Sequence, residues 1–94
     1  MAGYWVIRGS EIRDPAALQE YGKLWAGIAA RFDAEIIAGK GIIDTREGPA
    51  YPRQLIIRFA SYRQAVDCYE DAAYRQAMKL AHRAYDRELS ILEG

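Results

Sequence analysis

The sequence predicts an α+β domain in which one four-stranded antiparallel sheet carries helices on one face, and three observations lead to this prediction. Within residues 53–60, positions 55–60 form an apolar run broken only by Arg58, which is typical of a strand buried inside a sheet. Ser61 follows at once with Gln64 three residues later, which is the spacing of a capping box that starts a helix. The remaining segments give the order β-α-β-β-α-β, which is that of the ferredoxin-like fold.

The first strand and the first helix are predicted in the N-terminal third. Residues Gly3–Gly9 alternate between two faces. Those faces are Trp5, Ile7 and Gly9 on one side and Tyr4, Val6 and Arg8 on the other. Asp14-Pro15 is a helix start, because the aspartate can accept from free amides of the first turn and proline needs no donor there. The apolar helical face that follows is Leu18, Tyr21, Trp25, Ile28, Ala29 and Phe32. Gly22 and Gly27 weaken this helix by about 1 kcal/mol each relative to alanine, so we expect a close neighbour at those points.

A long, bent strand is predicted next. Residues 34–38 are extended, and we expect the strand to continue past Gly39-Lys40-Gly41 as far as Arg46. Two glycines around a lysine kink or bulge a strand more readily than they end it. This strand should lie at an edge of the sheet, and the turn-forming segment 47–52 should return the chain antiparallel into the central strand.

Two helical segments and a last strand are predicted after the central strand. Asp71 is expected to cap a second helix, so the helical region should break near Glu70 and Asp71. The two apolar faces are Ala65, Val66, Cys68 and Tyr69, followed by Tyr74, Ala77, Met78, Ala81 and Tyr85. Arg87–Leu92 alternates again, with Leu89 and Ile91 facing the helices.

The predicted strand arrangement leaves one face of the sheet uncovered. We expect the first and central strands to run parallel, side by side in the middle, flanked by the last strand and the kinked one. The face away from the helices then carries Tyr4, Val6, Arg8, Gln54, Ile56, Arg58, Glu88, Ser90 and Leu92. Because this face has too much apolar surface to remain in water, the sequence predicts a homodimer through the sheet face.

The composition is that of one ordinary soluble domain over residues 1–94. Apolar residues make up 51% and charged residues 28%, enough for a core and a surface. The 13 basic and 13 acidic residues cancel without forming runs, which argues against nucleic acid or a membrane surface as a partner. Arg8 interrupts the first apolar run, so neither a signal peptide nor a membrane span is expected, and the cytoplasm is the expected location. The single Cys68 excludes an internal disulfide.

Several residues occur in an order and at intervals that are similar to those of a known family. They are Gly3-Tyr4-Trp5, Asp14-Pro15, Tyr21, Gly39, Gly41, Glu47-Gly48, Phe59, Ser61, Ala65, Tyr69, Tyr74, Arg83 and Glu93-Gly94. Nearly end to end, the chain resembles the bacterial family known as domain of unknown function 1330, part of the dimeric α-β barrel superfamily. Where family members tend to have two glycines before the second strand, this chain has Asp33-Ala34.

The resemblance implies two ferredoxin-like units packed sheet to sheet, with a cavity between each sheet and its helices or loops. It implies no established activity. Relatives in the superfamily include cofactor-free monooxygenases, haem-degrading enzymes and small-molecule isomerases.

Arg8 and Arg58 are candidate anion-binding residues. With parallel neighbouring strands, they would lie on one face at the same end of the sheet. Two close guanidinium groups require an anion, which is either an acidic ligand or the carboxylate of Glu88 at the start of the last strand. Both alternatives stay open at this point.

His82 is the only histidine and therefore the candidate for proton transfer. The alternative is a surface or capping role near the end of the last helix, where a cation is favoured. One histidine without a CxxC or HxxxH pattern leaves too few ligands for a metal site, and no cofactor is predicted.

Aromatic residues are predicted to line a pocket between the helices and the sheet, with core packing as the alternative. The ligand-binding candidates are Trp5, Tyr69 and Tyr74, since the two tyrosines flank the helix break, where their hydroxyls could reach a ligand. Cys68 is predicted to be a small buried hydrophobe. Glu47 is predicted to be a solvated loop carboxylate, with a reach across the dimer as the alternative.

These features predict a homodimeric protein that binds a small organic molecule, aromatic or carboxylate-bearing, and whether it also acts as a cofactor-independent enzyme stays open at this point. The alternative is a non-catalytic dimerisation or ligand-sensing module. In the first case Arg8 and Arg58 anchor an anion and His82 transfers a proton.

Overall fold

Seven secondary-structure elements make up the fold, and the computed structural model describes all 94 residues. In chain order they are β1 (Gly3–Gly9), α1 (Pro15–Phe32), β2 (Glu35–Ala38), β3 (Arg53–Phe59), α2 (Tyr62–Glu70), α3 (Ala72–Ala84) and β4 (Arg87–Glu93). The α+β class and the ferredoxin-like order are confirmed. The second helical region is divided at Asp71, as the sequence predicts.

The four strands form one sheet in the order β2-β3-β1-β4, and each neighbouring pair is antiparallel. The prediction that the first and central strands run parallel is therefore wrong. The reason lies in the path of the chain. Helix α1 carries the chain back across the sheet, so β2 runs in the same direction as β1. The connection from β2 to β3 then reverses the direction of the chain. Strands β1 and β3 are thus neighbours of opposite direction.

Strand β2 is much shorter than the sequence suggests. It ends at Ala38, so the prediction of a bent strand running to Arg46 is wrong. Gly39 has a φ of +127°, and a Cβ atom there would lie 2.5 Å from the carbonyl oxygen of Gln54. This conformation is open to glycine and turns the chain out of the sheet. Strand β2 does lie at an edge and pairs antiparallel with β3, as predicted.

The helices begin at the capping residues that the sequence indicates. The side chains of Asp14 and Ser61 each accept a hydrogen bond at 3.1 Å, from the backbone N–H of Ala17 and Gln64 respectively. Asp71 accepts one from the N–H of Ala73 at 3.0 Å, which starts α3. Each bond satisfies a backbone donor that the first helical turn leaves free.

The chain leaves α1 through Asp33, which adopts φ 56° and ψ 37° in the left-handed region. This conformation favours glycine and is tolerated by aspartate. The turn therefore keeps a left-handed geometry although neither residue of Asp33-Ala34 is glycine.

The core lies between the sheet and the helices and is largely aromatic. The ring of Trp5 packs against four other rings at centroid distances of 4.9 to 5.9 Å: Trp25, Phe59, Tyr69 and Tyr74. Its indole N–H donates to the carbonyl of Ala65 at 2.9 Å. The residues predicted to face the helices do so, since Trp5, Ile7, Leu55, Ile57, Phe59, Leu89 and Ile91 all belong to this core or pack against it.

Gly22 and Gly27 have no close neighbours, contrary to the prediction. A Cβ atom added at either position meets nothing within 4 Å. Because alanine costs less conformational entropy in a helix, Gly22→Ala and Gly27→Ala are each expected to stabilise the protein by about 1 kcal/mol. Urea unfolding of the two variants checks this, and a lowered midpoint for either one would contradict it.

Candidate functional site

A cavity of about 170 Å³ lies between α1 and the helix-facing side of the sheet. Eight of its eleven lining residues are hydrophobic. The lining consists of Ile7, Leu18, Tyr21, Gly22, Trp25, Ile36, Arg53, Leu55, Ile57, Tyr85 and Arg87. Gly22 on α1 and Ile36 on β2 are exposed, so the cavity opens between the helix and the edge strand.

Two arginines enter this cavity from one row across the sheet. Gly9 on β1 pairs with Arg53 on one side and with Arg87 on the other. The Cα atoms of Arg53 and Arg87 are therefore two strand spacings apart, about 10 Å. No acidic residue lines the cavity, so it carries two positive charges against an apolar background.

Gly9 makes room for the aromatic ring that lies over it. A Cβ atom at Gly9 would lie 2.6 Å from Cδ2 of Tyr85 and 2.8 Å from the carbonyl oxygen of Asp86. The Tyr85 ring in turn supports Arg53, whose guanidinium carbon is 5.2 Å from the ring centroid. Glycine at position 9 therefore sets the position of one cavity wall.

Arg87 is fixed by two tyrosines. Its Nη2 donates to the hydroxyl of Tyr74 at 2.7 Å, and that hydroxyl lies 2.9 Å from the hydroxyl of Tyr21. The guanidinium carbon is 5.8 Å from the ring centroid of Tyr21 and 6.0 Å from that of Tyr74, within cation–π range.

This network keeps the tyrosines neutral and the arginine charged. Burial raises the pKa of Tyr21 above its usual 10.0, and the neighbouring Tyr74 adds to the effect. Burial also raises the pKa of Tyr74. Burial alone would lower the pKa of Arg87, but its interactions with Tyr74 and Tyr21 outweigh this and raise it. At neutral pH the cavity wall therefore carries a neutral phenolic hydroxyl and a charged guanidinium.

Arg53 is less well satisfied than Arg87. Its Nε is buried and has no hydrogen-bond partner. It also makes no salt bridge. Buried polar atoms are nearly always paired in folded proteins, so this donor has capacity for a further partner.

The aromatic candidates lie in the core and not on the cavity wall. Trp5 and Tyr74 have no exposed surface, and the Tyr69 hydroxyl donates to the sulfur of Met78 at 3.3 Å. None of the three lines the cavity, whose aromatic residues are Tyr21, Trp25 and Tyr85. Trp5, Tyr69 and Tyr74 thus pack in the core and not on this cavity wall, and their binding of a ligand stays a prediction. The reason is that they pack together in the closed interior, whereas the cavity opens beside β2.

Arg8 and Arg58 share a face but not an end of the sheet. In the antiparallel register Arg8 pairs with Gln54, and Arg58 pairs with Tyr4. The two arginines are thus four positions apart along the strands, about 13 Å, and the predicted cluster is wrong. The reversed direction of β3 is the reason.

Each of these two arginines has its own surroundings. Arg8 approaches Glu88 at 3.7 Å and the ring of Tyr51 at 5.2 Å, which is the structural ion pair left open by the sequence. A hydrogen bond to Glu88 raises the pKa of Tyr51. Arg58 is exposed and makes no salt bridge. Ligand binding by either residue stays a prediction.

His82 lies in the last turn of α3, exposed to solvent and outside the cavity lining. Its backbone carbonyl accepts a hydrogen bond from the guanidinium of Arg13. Partial burial and the charge of Arg87 lower the pKa of the imidazole. Its role in proton transfer stays a prediction. Glu47 is exposed in the connection between β2 and β3.

Cys68 is fully buried, as predicted, and burial raises the pKa of its thiol to about 12. The native protein should therefore resist iodoacetamide at pH 8, whereas the chain unfolded in guanidinium should react, because only the thiolate is nucleophilic. An unfolded thiol has a pKa of about 8.5, so this group's contribution to stability is complete below about pH 8 and is lost as the pH rises towards 12. Mass spectrometry after alkylation checks the prediction, and modification of the folded protein would contradict it.

The residues missed by the sequence analysis are Arg53 and Arg87. Each has the same strand parity as helix-facing neighbours, namely Leu55 for Arg53 and Leu89 for Arg87. Period-two alternation places both guanidinium groups on the helix side of the sheet. That signal was available in the sequence.

The fold and the cavity together define a ferredoxin-like α+β protein with a basic, apolar-walled cavity beneath its first helix. The family model described as a domain of unknown function (DUF1330) matches residues 2–94, so the chain belongs to this family. The resemblance noted in the sequence is confirmed. A comparison with the curated proteins finds no match.

Solved structures show the same fold at low sequence identity. A protein of unknown function from Rhodopseudomonas palustris is 18% identical with a TM-score of 0.75, covering 99% of this chain and 82% of that one. A hypothetical protein of Arabidopsis thaliana is 13% identical with a TM-score of 0.67, covering 98% and 87%. SnoaB, a cofactor-independent oxygenase from Streptomyces nogalater, is 11% identical with a TM-score of 0.55, covering 99% and 92%.

None of the three helices is both long and apolar enough to cross a lipid bilayer.

Proposed function

We propose that the protein is a homodimer that binds a small organic molecule in the cavity between α1 and the sheet. The observation that carries this proposal is the lining of the cavity, in which eight of eleven residues are hydrophobic and two are arginines. Ligand sites in proteins commonly combine apolar walls with a few placed polar groups. The opening between Gly22 and Ile36 supports access from solvent.

Native mass spectrometry with a library of small aromatic and aliphatic acids, amides and alcohols tests the binding proposal. One retained molecule per chain is the expected result. If no compound is retained and no compound is seen in the cavity of crystals soaked with the library, the alternative of a non-catalytic dimerisation module replaces the proposal.

Two matched variants locate the binding site. Gly22 and Gly27 are both exposed on α1 with open space around them, but only Gly22 lines the cavity. Gly22→Phe should therefore reduce binding of a retained library compound, and Gly27→Phe should leave it unchanged. Equal effects of the two variants would place the ligand elsewhere.

The dimer is proposed to form through the open face of the sheet, with a second copy of the chain as the partner. Val6 and Ile56 pair across β1 and β3 on this face, and Leu92 on β4 is 50% exposed. An apolar patch of this kind is typical of an interface between identical chains.

Sedimentation of two leucine variants tests the dimer. Leu92→Glu is expected to give monomers, whereas Leu24→Glu, at a comparably exposed position on α1, should leave the dimer intact. A wild-type protein that sediments with the mass of one chain at micromolar concentration would overturn this part of the proposal.

A cofactor-independent reaction is a second proposed function. It is supported by the fold shared with SnoaB and by Tyr21, which presents a neutral O–H beside the cavity. His82 is the proposed proton-transfer residue. An assay of turnover tests the reaction. The disappearance of a retained compound and the uptake of oxygen are measured between pH 5 and 8. A rate that is unchanged in His82→Gln across this range would remove His82 from the mechanism.

A further inference from the structure

We infer that the ligand is a small carboxylic acid with an apolar body about the size of one ring, and that its carboxylate binds Arg53. This inference rests on the proposed ligand-binding function and specifies the chemistry of the ligand. Three features of the cavity support it: its charge, the unequal surroundings of its two arginines, and its volume.

The charge of the cavity favours an anion. Arg53 and Arg87 flank Gly9 on the same face of the sheet, and no aspartate or glutamate lines the cavity to balance them. Two cations in mostly apolar surroundings repel each other more strongly than they would in water. A bound anion relieves that repulsion.

The two arginines are not equivalent, and this difference identifies the anchor. Arg87 already donates to Tyr74 and lies against two tyrosine rings. Arg53 is supported by the ring of Tyr85 and has a buried Nε without a partner. A carboxylate can accept two parallel hydrogen bonds from one guanidinium, and Arg53 makes no salt bridge that would compete with such a ligand.

The volume and the walls define the rest of the ligand. A cavity of about 150 Å³ lined by aliphatic and aromatic side chains is large enough to hold benzene. The cavity here measures about 170 Å³, and Trp25, Leu18 and Leu55 contribute apolar surface to it. An aromatic ring or a short branched chain fills this space, whereas inorganic phosphate would leave the apolar wall without a partner.

Three probes separate these contributions. Benzoate carries both the charge and the ring, benzamide has nearly the same shape without the charge, and inorganic phosphate has the charge without the ring. We expect benzoate to bind about ten- to a hundredfold more tightly than benzamide in calorimetry or NMR titration, as for hydrogen bonds to a charged group. Phosphate should bind more weakly than benzoate.

Matched arginine variants test the anchor. Arg53→Met should remove the preference for benzoate over benzamide while leaving benzamide affinity nearly unchanged. Arg63→Met is the control, because Arg63 lies on α2 outside the cavity lining and its side chain is 84% exposed. If Arg53→Met does not fold, Arg53→Lys retains the charge without the bidentate geometry and should keep only part of the preference.

An NMR measurement on the wild-type protein needs no variant. The Arg53 Nε–H resonance should shift on addition of benzoate, and that of Arg63 should stay in place. Equal affinity for benzoate and benzamide, tighter binding of phosphate, or an unchanged preference in Arg53→Met would overturn the inference and leave the proposed function standing. Failure of the whole compound library to bind would instead remove the proposed function itself.

Discussion

Trp5→Ala is expected to destabilise the protein by about 3–5 kcal/mol, the range for truncating a large aromatic residue in a core. Trp5 has no exposed surface and packs against four aromatic rings. The substitution also leaves the carbonyl of Ala65 without its indole donor, which adds to the cost of the cavity. Because small domains are stabilised by about 5–15 kcal/mol in total, a large part of the margin would be lost.

Urea unfolding followed by circular dichroism measures this effect. Leu24→Ala is the control, since Leu24 is 46% exposed on α1 and its truncation should change stability by less than about 1 kcal/mol. An unfolding midpoint for Trp5→Ala close to that of Leu24→Ala would show that the aromatic cluster does not hold the core together.

Gly9→Ala is expected to cost about 3 kcal/mol, at the upper end of the usual range for overpacking. The added methyl group would lie 2.6 Å from Cδ2 of Tyr85 and 2.8 Å from the backbone oxygen of Asp86. Neither neighbour yields easily, because Tyr85 is 3% exposed and the Asp86 carbonyl accepts from the N–H of Ser10 at 2.8 Å.

Gly41→Ala provides the matched control for Gly9→Ala. A Cβ atom at Gly41 meets nothing within 4 Å, and its φ is not in the left-handed region. The control should therefore unfold at a urea concentration close to that of the wild type. If the two alanine variants were equally stable, the close packing of Tyr85 over Gly9 would be refuted.

The Gly9 substitution should also reach the cavity. Tyr85 is a wall residue and supports the guanidinium of Arg53 at 5.2 Å, so moving the ring moves the proposed anchor. A folded fraction of Gly9→Ala should bind benzoate more weakly than the wild type. Titration at a temperature where the variant is folded checks this, and unchanged affinity would separate Tyr85 from the binding site.

Local chemistry made much of the fold predictable. The starts of all three helices follow from single capping side chains, Asp14, Ser61 and Asp71, and each makes the expected hydrogen bond. The division of the strands into two faces follows from their period of two, which is a property of the backbone.

Properties that depend on distant contacts were harder to predict. The end of β2 at Ala38 depends on the closeness of Gly39 to the backbone of Gln54, fifteen residues further on. Strand direction depends on the whole path of the chain. Because β3 was predicted to run parallel to β1, Arg58 was predicted at the wrong end of the sheet.

For the same reasons, the candidate site could be predicted only in part from the sequence. Periodicity shows which aromatic residues face inward, but it does not show how deep they lie. Tyr74 and Tyr21 both face inward from neighbouring helices, but Tyr74 is fully buried and only Tyr21 lines the cavity. Arg53 and Arg87 could have been found by parity alone, since a charged residue on the helix side of a strand is unusual.

Strand β4 forms one border of the sheet, so its outward N–H and C=O groups are free to pair with a strand of another molecule. Such borders can nucleate fibrils when they are flat and apolar. Here Arg87, Glu88 and Glu93 place three charged side chains on the seven-residue strand, and inserting these charges into a growing ribbon would be unfavourable. The border thus resists edge-to-edge aggregation, which leaves the uncovered face of the sheet as the surface for the proposed dimer.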